Sequence, residues 1–215
     1  MLITAGPTRE YLDPIRYLSN ASSGMMGFTL AKTARNLGAK VMVVSGPSRI
    51  SAPWGVRTIP VISAEQMYRE TLKLFSQVDI VIGAAAVSDW KFAKASNQKF
   101  KKTGHSLEIT LLPNPDILAE LGRRKREQKN KKRKILVGFA LETHQWLTHA
   151  KEKLLKKNLD IIIANKPENV GMSNARIAIL DRKGHQKIYP PISKQKAAEV
   201  ILKSIEPLLN APFPT

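Results

Sequence analysis

Short runs of consecutive apolar residues alternate along the chain with segments in which apolar residues recur every three or four positions. The continuous runs LITAG, KVMVVSG and DIVIGAAAV are typical of strands that are buried on both faces of a sheet. The segments between them, GMMGFTLAKTARNLG and SAEQMYRETLKLF, have helical spacing. The first is closed by Gly38, and the second begins with a capping-box pattern at Ser63 and Gln66.

The same alternation continues in the second half of the chain. Strands are predicted in SLEITLLP, KILVGFALE and LDIIIANK, and helices in NPDILAELGRRKREQ and HQWLTHAKEKLLKKN. A hairpin around Lys183 and Gly184 and a closing helix that ends near Pro207 follow. The pattern predicts an α/β fold: a doubly wound, mostly parallel, Rossmann-like sheet with helices on both faces. We expect residues 1–215 to form one domain.

A long polar loop separates the first strand from the first helix. It reads PTREYLDPIRYLSNASS, although such connections need only about two to six residues, and loops of this length usually serve a ligand. Ser22, Ser23 and Gly24 lie where the helix begins, so free backbone N–H groups there favour a phosphate or carboxylate. The alternative is ordinary capping by the serines, with Gly27 allowing close packing of the helix.

Composition narrows the classes of protein. The 215 residues include no cysteine, which excludes disulfides, thiolate metal sites and a thiol nucleophile. No apolar stretch approaches the roughly twenty residues of a membrane span, and the chain enters its first strand without a signal-like segment. We therefore expect a soluble cytoplasmic protein that has no membrane partner.

The net charge of +18 suggests an anionic partner such as nucleic acid, a membrane surface or a phosphorylated small molecule. Nearly half of the excess comes from residues 122–134, which hold nine Lys and Arg against the single acid Glu127. This run has no interleaved aromatic residues for base stacking and no apolar stripe for lipid. We interpret it as a solvated helix end and loop, which weakens the case for a nucleic acid.

Several polar residues follow predicted strands, where open α/β sheets bind their ligands. Asp89 comes after the small residues of IGAAAV and is either a ligand contact or a strand-end cap. Lys99 lies in the basic segment NQKFKK, which is either a functional flap or simply solvated. Lys153 and Lys157 are spaced i, i+4 on one helix face, where they repel unless an anion binds between them.

The motif NPDIL has a complete structural explanation as a helix start. Asn114 would be the N-cap, Pro115 would occupy the first helical position, and Asp116 would lie in the first turn. The four histidines show no metal-ligand spacing, since His144 and His149 are five residues apart and share a helix face poorly. With no nucleophile triad in view, catalysis would depend on positioning and charge stabilisation.

Together and in order, these segments resemble a known family. ITAGPTREYLDPIRYLSNASSGMMGFTLA, AAAVSDW, QKFKK, NPDIL, GFALET and AKEKLLKKNLDIIIAN are similar to phosphopantothenoylcysteine synthetases, over residues 2 to 181. The family joins 4′-phosphopantothenate to L-cysteine on the route to coenzyme A. In many bacteria this domain follows a flavin-dependent decarboxylase on the same chain. Because this chain starts at the first strand of the synthetase, we expect the decarboxylase to be a separate protein.

The resemblance implies roles for particular residues. Asn20 would act on the acyl-nucleotide intermediate together with Arg16 and Ala85, and Lys99 would be the flap lysine. Asp89 would contact the base or sugar of the nucleotide.

Further residues are implied around the nucleotide and the acyl group. Lys153 and Lys157 would bind phosphate, and the Ser22, Ser23 and Gly24 loop would cradle the acyl-nucleotide. The segments that surround the nucleotide would be Pro115, Asp116, Ile117, Leu118 and Phe139. The chain departs from the family pattern at Met25, Leu141 and Lys166, and Leu141 could reshape the nucleotide pocket.

The implied reaction is an amide ligation that uses CTP and Mg²⁺ and proceeds through an acyl-cytidylate, in a homodimer. ATP in place of CTP is the first alternative. An NAD-type oxidoreductase would require a three-glycine fingerprint that the sequence lacks. A basic nucleic-acid-binding module would show strongly salt-dependent affinity for DNA or RNA.

Overall fold

A computed structural model describes residues 1–102, 104–127, 133–169 and 171–210. The strands within these residues are β1 (Leu2–Ala5), β2 (Arg9–Tyr11), β3 (Tyr17–Ser19), β4 (Met42–Ser45), β5 (Arg57–Pro60), β6 (Ile80–Gly83), β7 (Trp90–Phe92), β8 (Leu111–Pro113), β9 (Ile135–Leu141), β10 (Ile161–Asn165), β11 (Asn174–Asp181) and β12 (Gln186–Ser193). The α-helices are α1 (Met25–Asn36), α2 (Ala64–Phe75), α3 (Ile117–Glu127), α4 (Trp146–Lys156) and α5 (Lys194–Asn210).

Eight strands form one sheet in the order β12-β11-β10-β9-β6-β1-β4-β5. From β10 to β5 every neighbouring pair is parallel, and β11 and β12 extend the sheet as an antiparallel hairpin. After β1 the chain builds β4 and β5 on one side and then returns to build β6, β9 and β10 on the other. The strand order therefore reverses between β1 and β6, as in the Rossmann fold, and the predicted mostly parallel sheet is confirmed.

The sheet is buried on both faces because successive side chains of a strand point in opposite directions. Ile3 belongs to the apolar cluster beneath α1 and α5, whereas its neighbour Leu2 belongs to the cluster beneath α2, α3 and α4, and both are fully buried. Both clusters extend across the strands of the sheet, which explains why these strands are continuously apolar in sequence. The doubly wound arrangement is confirmed.

Local signals in the sequence are reproduced where they concern helix ends and turns. The Ser63 Oγ accepts from the Gln66 N–H at 3.2 Å, and the Gln66 side chain accepts from the Ser63 N–H at 3.3 Å, which completes the capping box. Gly38 closes α1 with φ +86°, and Gly184 turns the β11–β12 hairpin with φ +90°. Both glycines adopt left-handed conformations that other residues rarely accept.

Some expectations about elements were wrong. The closing helix continues through Pro207 to Asn210, because a proline near a helix end removes only one hydrogen bond, here to an exposed residue, Lys203. The polar loop contains the short hairpin of β2 and β3, and only the last residues of SLEITLLP form a strand, which pairs with β7. Strands of three or four residues, β5 included, are too short to show a hydrophobic period.

The basic run 122–134 is not uniformly solvated, which corrects its interpretation as a solvated helix end. The Lys125 ammonium lies 2.5 Å from the Asp160 carboxylate, and both side chains are less than one-fifth exposed. The Lys134 ammonium is buried and donates to the carbonyl oxygens of Ser76 and Val78, just beyond the end of α2. Residues 128–132 lie outside the described residues.

Asp160 shows why the buried charge of Lys125 is tolerated. The same carboxylate oxygen that binds the Lys125 ammonium accepts from the Leu136 backbone N–H at 2.7 Å, so it joins α3 to the start of β9. Burial lowers the pKa of Lys125, and the charge and hydrogen bond of Asp160 oppose that shift. Among the helices that the structure describes, none is long and apolar enough to cross a membrane.

Replacing Lys125 by Ala should therefore lower the free energy of unfolding by about 2 kcal/mol, because it leaves a partly buried carboxylate without its cation. Arg126→Ala is the matched control, since Arg126 is exposed on the same helix and its loss should change stability by less than about 0.5 kcal/mol. Urea denaturation of both variants measures the difference. Equal free energies of unfolding for the two variants would show that the Lys125–Asp160 ion pair does not stabilise the fold.

Candidate functional site

The candidate site lies at the carboxyl edge of the sheet, where the strand order reverses between β1 and β6. The loops that follow these two strands, residues 6–8 and 84–88, run side by side beyond the sheet. The Ala86 N–H donates to the Gly6 oxygen at 3.0 Å, and the Thr8 N–H donates to the Ala86 oxygen at 3.3 Å. The two loops thus form a firm base at the position where open α/β sheets bind ligands.

Asn20 is joined to this base. Its side-chain N–H₂ donates to the backbone oxygens of Ala86 and Val87, at 3.1 Å and 3.0 Å. Two carbonyl acceptors fix the orientation of the amide, because only its nitrogen can donate to them. Ala85 lies beside them, and its N–H donates to Thr4 Oγ1 at 3.3 Å. The structure therefore brings Asn20 and the Ala85 segment together, and it leaves Asn20 Oδ1 as the atom available to a ligand.

The polar loop ends in a helix start that carries no side-chain N-cap. Gly24 occupies the N-cap with φ +80° and packs so closely on Gly6 that a Cβ would lie 3.0 Å from the Gly6 Cα. Ser22 Oγ accepts from the Gly24 N–H and Ser23 Oγ from the Met25 N–H, both at 3.3 Å. The serines therefore cap only the outermost N–H groups, and the first turn of α1 keeps donors suited to an anion.

Arg16 and the basic segment that contains Lys99 also meet. Arg16 Nη2 donates to the Phe100 backbone oxygen at 2.6 Å, and Arg16 Nε donates to Asp13 Oδ2 at 2.9 Å. Lys99 directly precedes Phe100 and is exposed. Two residues that the resemblance assigns to the reaction thus come from hairpin and flap segments that touch each other.

The NPDIL segment begins its helix later than expected. α3 starts at Ile117, and Asp116 Oδ1 caps it by accepting from the Ala119 N–H at 3.0 Å. Asn114 is therefore not the N-cap: its side chain donates to the Ser88 oxygen at 2.9 Å, and its N–H donates to the Asp89 oxygen at 2.8 Å. Asparagine and aspartate cap helices about equally well, so Asp116 caps α3 because the side chain of Asn114 is already engaged by Ser88.

These contacts hold the NPDIL segment against the end of the β6 loop. Pro115 precedes the helix and does not occupy its first position. The side chain of Asp89 is exposed at the same edge of the sheet, while its backbone ties the two segments together.

The apolar residues assigned to the nucleotide separate into two groups. Ile117 is 7% exposed and belongs to the core on the α2, α3 and α4 face. Leu118 lies over two strand glycines, and a Cβ on Gly83 or Gly138 would approach its methyl groups to 2.9 Å and 3.1 Å. Phe139 packs on the opposite face of the sheet, with the α1 and α5 cluster. The sheet therefore separates Phe139 from Ile117 and Leu118. Only a ligand that lies across the edge of the sheet could be close to residues of both faces.

Lys153 lies on α4 and Lys157 is the C-cap residue directly after it, one helical turn away as expected, but each is paired with a carboxylate. Lys153 Nζ lies 2.6 Å from Glu142 Oε1, and Lys157 Nζ lies 2.7 Å from Asp116 Oδ2. Glu142 directly follows β9 and Asp116 directly precedes α3, so both ammonium groups reach carboxylates near the carboxyl edge of the sheet. The two carboxylates remove the mutual repulsion that the spacing alone implied.

Sequence reasoning missed Asp13 and Glu142. Asp13 could have been recognised, because LDPIR has the pattern of an aspartate-initiated turn. Glu142 gives no local signal, since its partner Lys153 is eleven residues away and reaches it only through the fold. The rings of His144 and His149 are in edge contact at 5.2 Å, although their spacing suggested separate faces.

The three departures from the family pattern leave these contacts intact. Met25 is 40% exposed and Leu141 is 49% exposed, so both side chains project from the surface. The Lys166 ammonium lies 5.9 Å above the ring of Trp146, where it makes a cation–π contact at the start of α4.

A Rossmann-type α/β domain with polar loops and lysines around its switch point belongs to the class of nucleotide-binding folds. The chain belongs to the DNA/pantothenate metabolism flavoprotein C-terminal domain family, which it matches over residues 1–208.

Relatives of known description support this assignment. The chain is 42% identical over 205 residues to the coenzyme A biosynthesis bifunctional protein CoaBC of Borreliella burgdorferi, and 40% identical over 213 residues to that of Bacillus subtilis. These matches cover 94% and 97% of this chain and 51% of each relative, so the chain spans about half the length of the curated relatives it matches.

A solved structure agrees with both fold and sequence. The crystal structure of the C-terminal domain of the coenzyme A biosynthesis bifunctional protein CoaBC is 36% identical, with a TM-score of 0.81. The match covers 97% of this chain and 94% of that one, so the likeness extends over the whole fold and not only over the sheet.

Proposed function

We propose that the chain is a phosphopantothenate–cysteine ligase domain, which forms the amide between 4′-phosphopantothenate and L-cysteine through an acyl-cytidylate. The proposal rests on one observation above the others: two hydrogen bonds hold Asn20 on the β6 loop, and in the chain Asn20 lies between α1 and Arg16, which contacts the Lys99 segment. The names of the CoaBC relatives place those proteins in coenzyme A biosynthesis, which supports these substrates.

In the first step, the carboxylate of 4′-phosphopantothenate attacks the α-phosphorus of CTP. A bond forms between the carboxylate oxygen and phosphorus, and pyrophosphate leaves with the electron pair of the broken P–O bond. Negative charge moves onto the leaving group, and cations directed at it lower the barrier. Lys153 and Lys157 suit this task, since both ammonium groups reach carboxylates near the edge where the nucleotide would lie.

In the second step, the amine of cysteine attacks the acyl carbon, and CMP leaves as the amide forms. The attacking nitrogen gains a bond to carbon and loses a proton, which the departing phosphate group of CMP or water takes up. Asn20 Oδ1 is an acceptor whose amide is oriented by two backbone carbonyls, so it suits an N–H of the incoming amine. This differs from a donor role toward the acyl oxygen, because both amide protons of Asn20 are already engaged.

The residues present fit Mg²⁺ that arrives with the nucleotide. In the part of the chain that the structure describes, no three His, Asp or Glu side chains form a metal-binding group. Mg²⁺ in nucleotide sites is bound largely by phosphates and water, with one or two carboxylates, and Asp89 is an exposed carboxylate at this edge. When bound, the ion would neutralise charge on the phosphates.

The decisive assay measures pyrophosphate release from CTP and from ATP, each with and without 4′-phosphopantothenate and cysteine. We expect release from CTP to require 4′-phosphopantothenate but not cysteine in a single turnover. If release is faster from ATP, the proposed ligase reaction stands and only the proposed nucleotide changes. Pyrophosphate release from neither nucleotide would refute the proposal.

The lysine pair should act mainly on the triphosphate. Lys153→Ala and Lys157→Ala should each weaken CTP binding by about 1.5 to 3 kcal/mol, the range for a hydrogen bond to a charged group. Lys151→Ala is the control, because Lys151 is exposed on α4 and lies only two residues before Lys153, so it faces a different side of the helix. Calorimetry measures all three, and affinities equal to that of the control would assign the pair a purely structural role.

Asn20→Ala should separate the two half-reactions. Loss of an acceptor for the attacking amine should slow cysteine-dependent CMP release by about 10- to 100-fold, the equivalent of one charge-assisted hydrogen bond. Pyrophosphate release should continue, so the acyl-cytidylate should accumulate in quenched-flow samples. An equal loss of both half-reactions would instead assign Asn20 to substrate binding or loop order.

A homodimer is part of the proposal. The β2–β3 and β7–β8 hairpins lie against each other and expose large apolar side chains, including Tyr11, Ile15, Tyr17, Trp90 and Leu112. An exposed apolar group of this size suits a second copy of the chain. Sedimentation velocity should give a dimer that Ile15→Asp and Leu112→Asp convert to a monomer, and a monomeric wild type would contradict this part.

A further inference from the structure

Asp13 is a fully buried carboxylate in the turn between β2 and β3. Its Oδ1 accepts from the backbone N–H groups of Ile15 and Arg16, at 2.9 Å and 2.8 Å. These bonds shape the turn locally, as aspartate often does. They use only one of its two oxygens.

The second oxygen reaches out of the hairpin. Asp13 Oδ2 accepts from Arg16 Nε at 2.9 Å and from the backbone N–H of Phe100 at 3.2 Å, and Phe100 is 87 residues away in sequence. Arg16 closes the ring by donating through Nη2 to the Phe100 oxygen at 2.6 Å. Both polar groups of the Phe100 backbone are therefore bound by the Asp13–Arg16 pair.

A second contact joins the same two segments. The Ser96 N–H donates to the Leu12 backbone oxygen at 2.8 Å, so the flap is attached to the hairpin on both sides of Lys99. The Lys99 side chain itself is exposed. The backbone of Lys99 is thus restrained while its ammonium is left to reach a ligand.

The carboxylate is suited to a permanent attachment. Burial alone would raise the pKa of Asp13, but hydrogen bonds from the Arg16, Ile15 and Phe100 backbones and from the Arg16 side chain hold it well below its usual range. The group therefore stays ionised at any pH near neutrality. Its partners are all donors, and a carboxylate is the side chain that accepts without donating.

We propose that Asp13 is a positioning residue that fixes Lys99 relative to Arg16 by attaching the flap, residues 96–102, to the β2–β3 hairpin. The assignment of Lys99 and Arg16 to the reaction rests on the proposed function, whereas the attachment itself does not. The Asp13 side chain is fully buried, so it contacts neither substrate nor nucleotide. It acts by fixing the positions of Lys99 and Arg16 relative to each other.

Asp13→Asn is the sharpest variant because it retains size and one acceptor oxygen. The amide N–H₂ then faces the Phe100 N–H and the Arg16 guanidinium, which are donors, so the flap contact is lost while the turn is kept. Asp181→Asn is the matched control, since Asp181 also accepts backbone N–H groups of its own turn, from Lys183 and His185. That turn lies in the β11–β12 hairpin, where Asp181 pairs with the start of β10.

Limited trypsin digestion tests the attachment without any assay of activity. The flap contains cleavage sites after Lys99 and Lys101, and proteolysis of a locally opened segment reports how often it opens. Asp13→Asn should speed cleavage at these sites at least about tenfold, the expected effect of losing a charge-assisted hydrogen bond, while Asp181→Asn should not. Equal rates in the wild type and both variants would overturn the proposal.

A second variant keeps the test valid if Asp13→Asn does not fold. Arg16→Met leaves the Asp13 bonds to the turn and removes the guanidinium bond to the Phe100 oxygen. It should also accelerate cleavage after Lys99, by a smaller factor than Asp13→Asn. A flap that remains fully protected in Arg16→Met would count against the attachment.

A double-mutant cycle tests the link to the reaction. If Asp13 acts through Lys99, Asp13→Asn should lower kcat much more in the wild-type background than in Lys99→Ala. The factor by which kcat falls should differ between the two backgrounds by at least about fivefold. If the two substitutions lower kcat by factors that simply multiply in the double variant, Asp13 does not position Lys99. A wild type without ligase turnover would refute the proposed function, and trypsin digestion would still decide the attachment.

Discussion

The site depends on contacts between backbone and backbone at the point where the strand order reverses. A Cβ on Gly27 would lie 2.6 Å from the Ala5 Cβ, and one on Gly46 would lie 1.8 Å from the Pro7 oxygen. Neither position can accept a side chain without moving main chain. Because α1 and the loops approach β1 this closely, the N-terminus of α1, the β6 loop and Asn20 come within reach of one ligand.

This close approach explains how so polar a loop is held without a core of its own. The loop gains order from hydrogen bonds to neighbouring segments, such as Ser19 Oγ to the Thr8 oxygen at 2.6 Å, and from Asn20 to the β6 loop. Each of these bonds is worth only about 0.5 to 1.5 kcal/mol. Several of them together set the shape of the candidate site, which the apolar core supports from below.

The sequence predicted the sheet and the helices because their hydrophobic periods are long and uninterrupted, as in β9 and α2. Strand ends and the family resemblance also indicated the carboxyl edge, where Asn20 contacts the loop that contains Ala85 and the Lys153 and Lys157 ammonium groups reach Glu142 and Asp116. The sequence misplaced the start of α3, since Asn114 and Asp116 are both good capping residues and only the tertiary contact of Asn114 with Ser88 decides between them.

The remaining errors arise from partners that are distant in sequence. Lys125 looked solvated because its run is so basic, yet Asp160 reaches it from the loop before β10. Asp13 reaches the Phe100 backbone in the same way, and Glu142 reaches Lys153. A charge pattern read along the chain cannot reveal such pairs, because burial and partner are set by the packing of separate elements.

If Lys153 and Lys157 bind phosphate as proposed, their pairing with Glu142 and Asp116 makes that binding an exchange of one anion for another. A phosphate group that reaches either lysine must displace a carboxylate that stays tethered 2.6 or 2.7 Å from the ammonium. The tethered carboxylate competes at a high effective concentration, which weakens equilibrium binding and favours the return of the lysine to its resting partner. Under the proposed function, such an exchange would lower the affinity for the triphosphate and speed the departure of pyrophosphate, so that this product would inhibit turnover less.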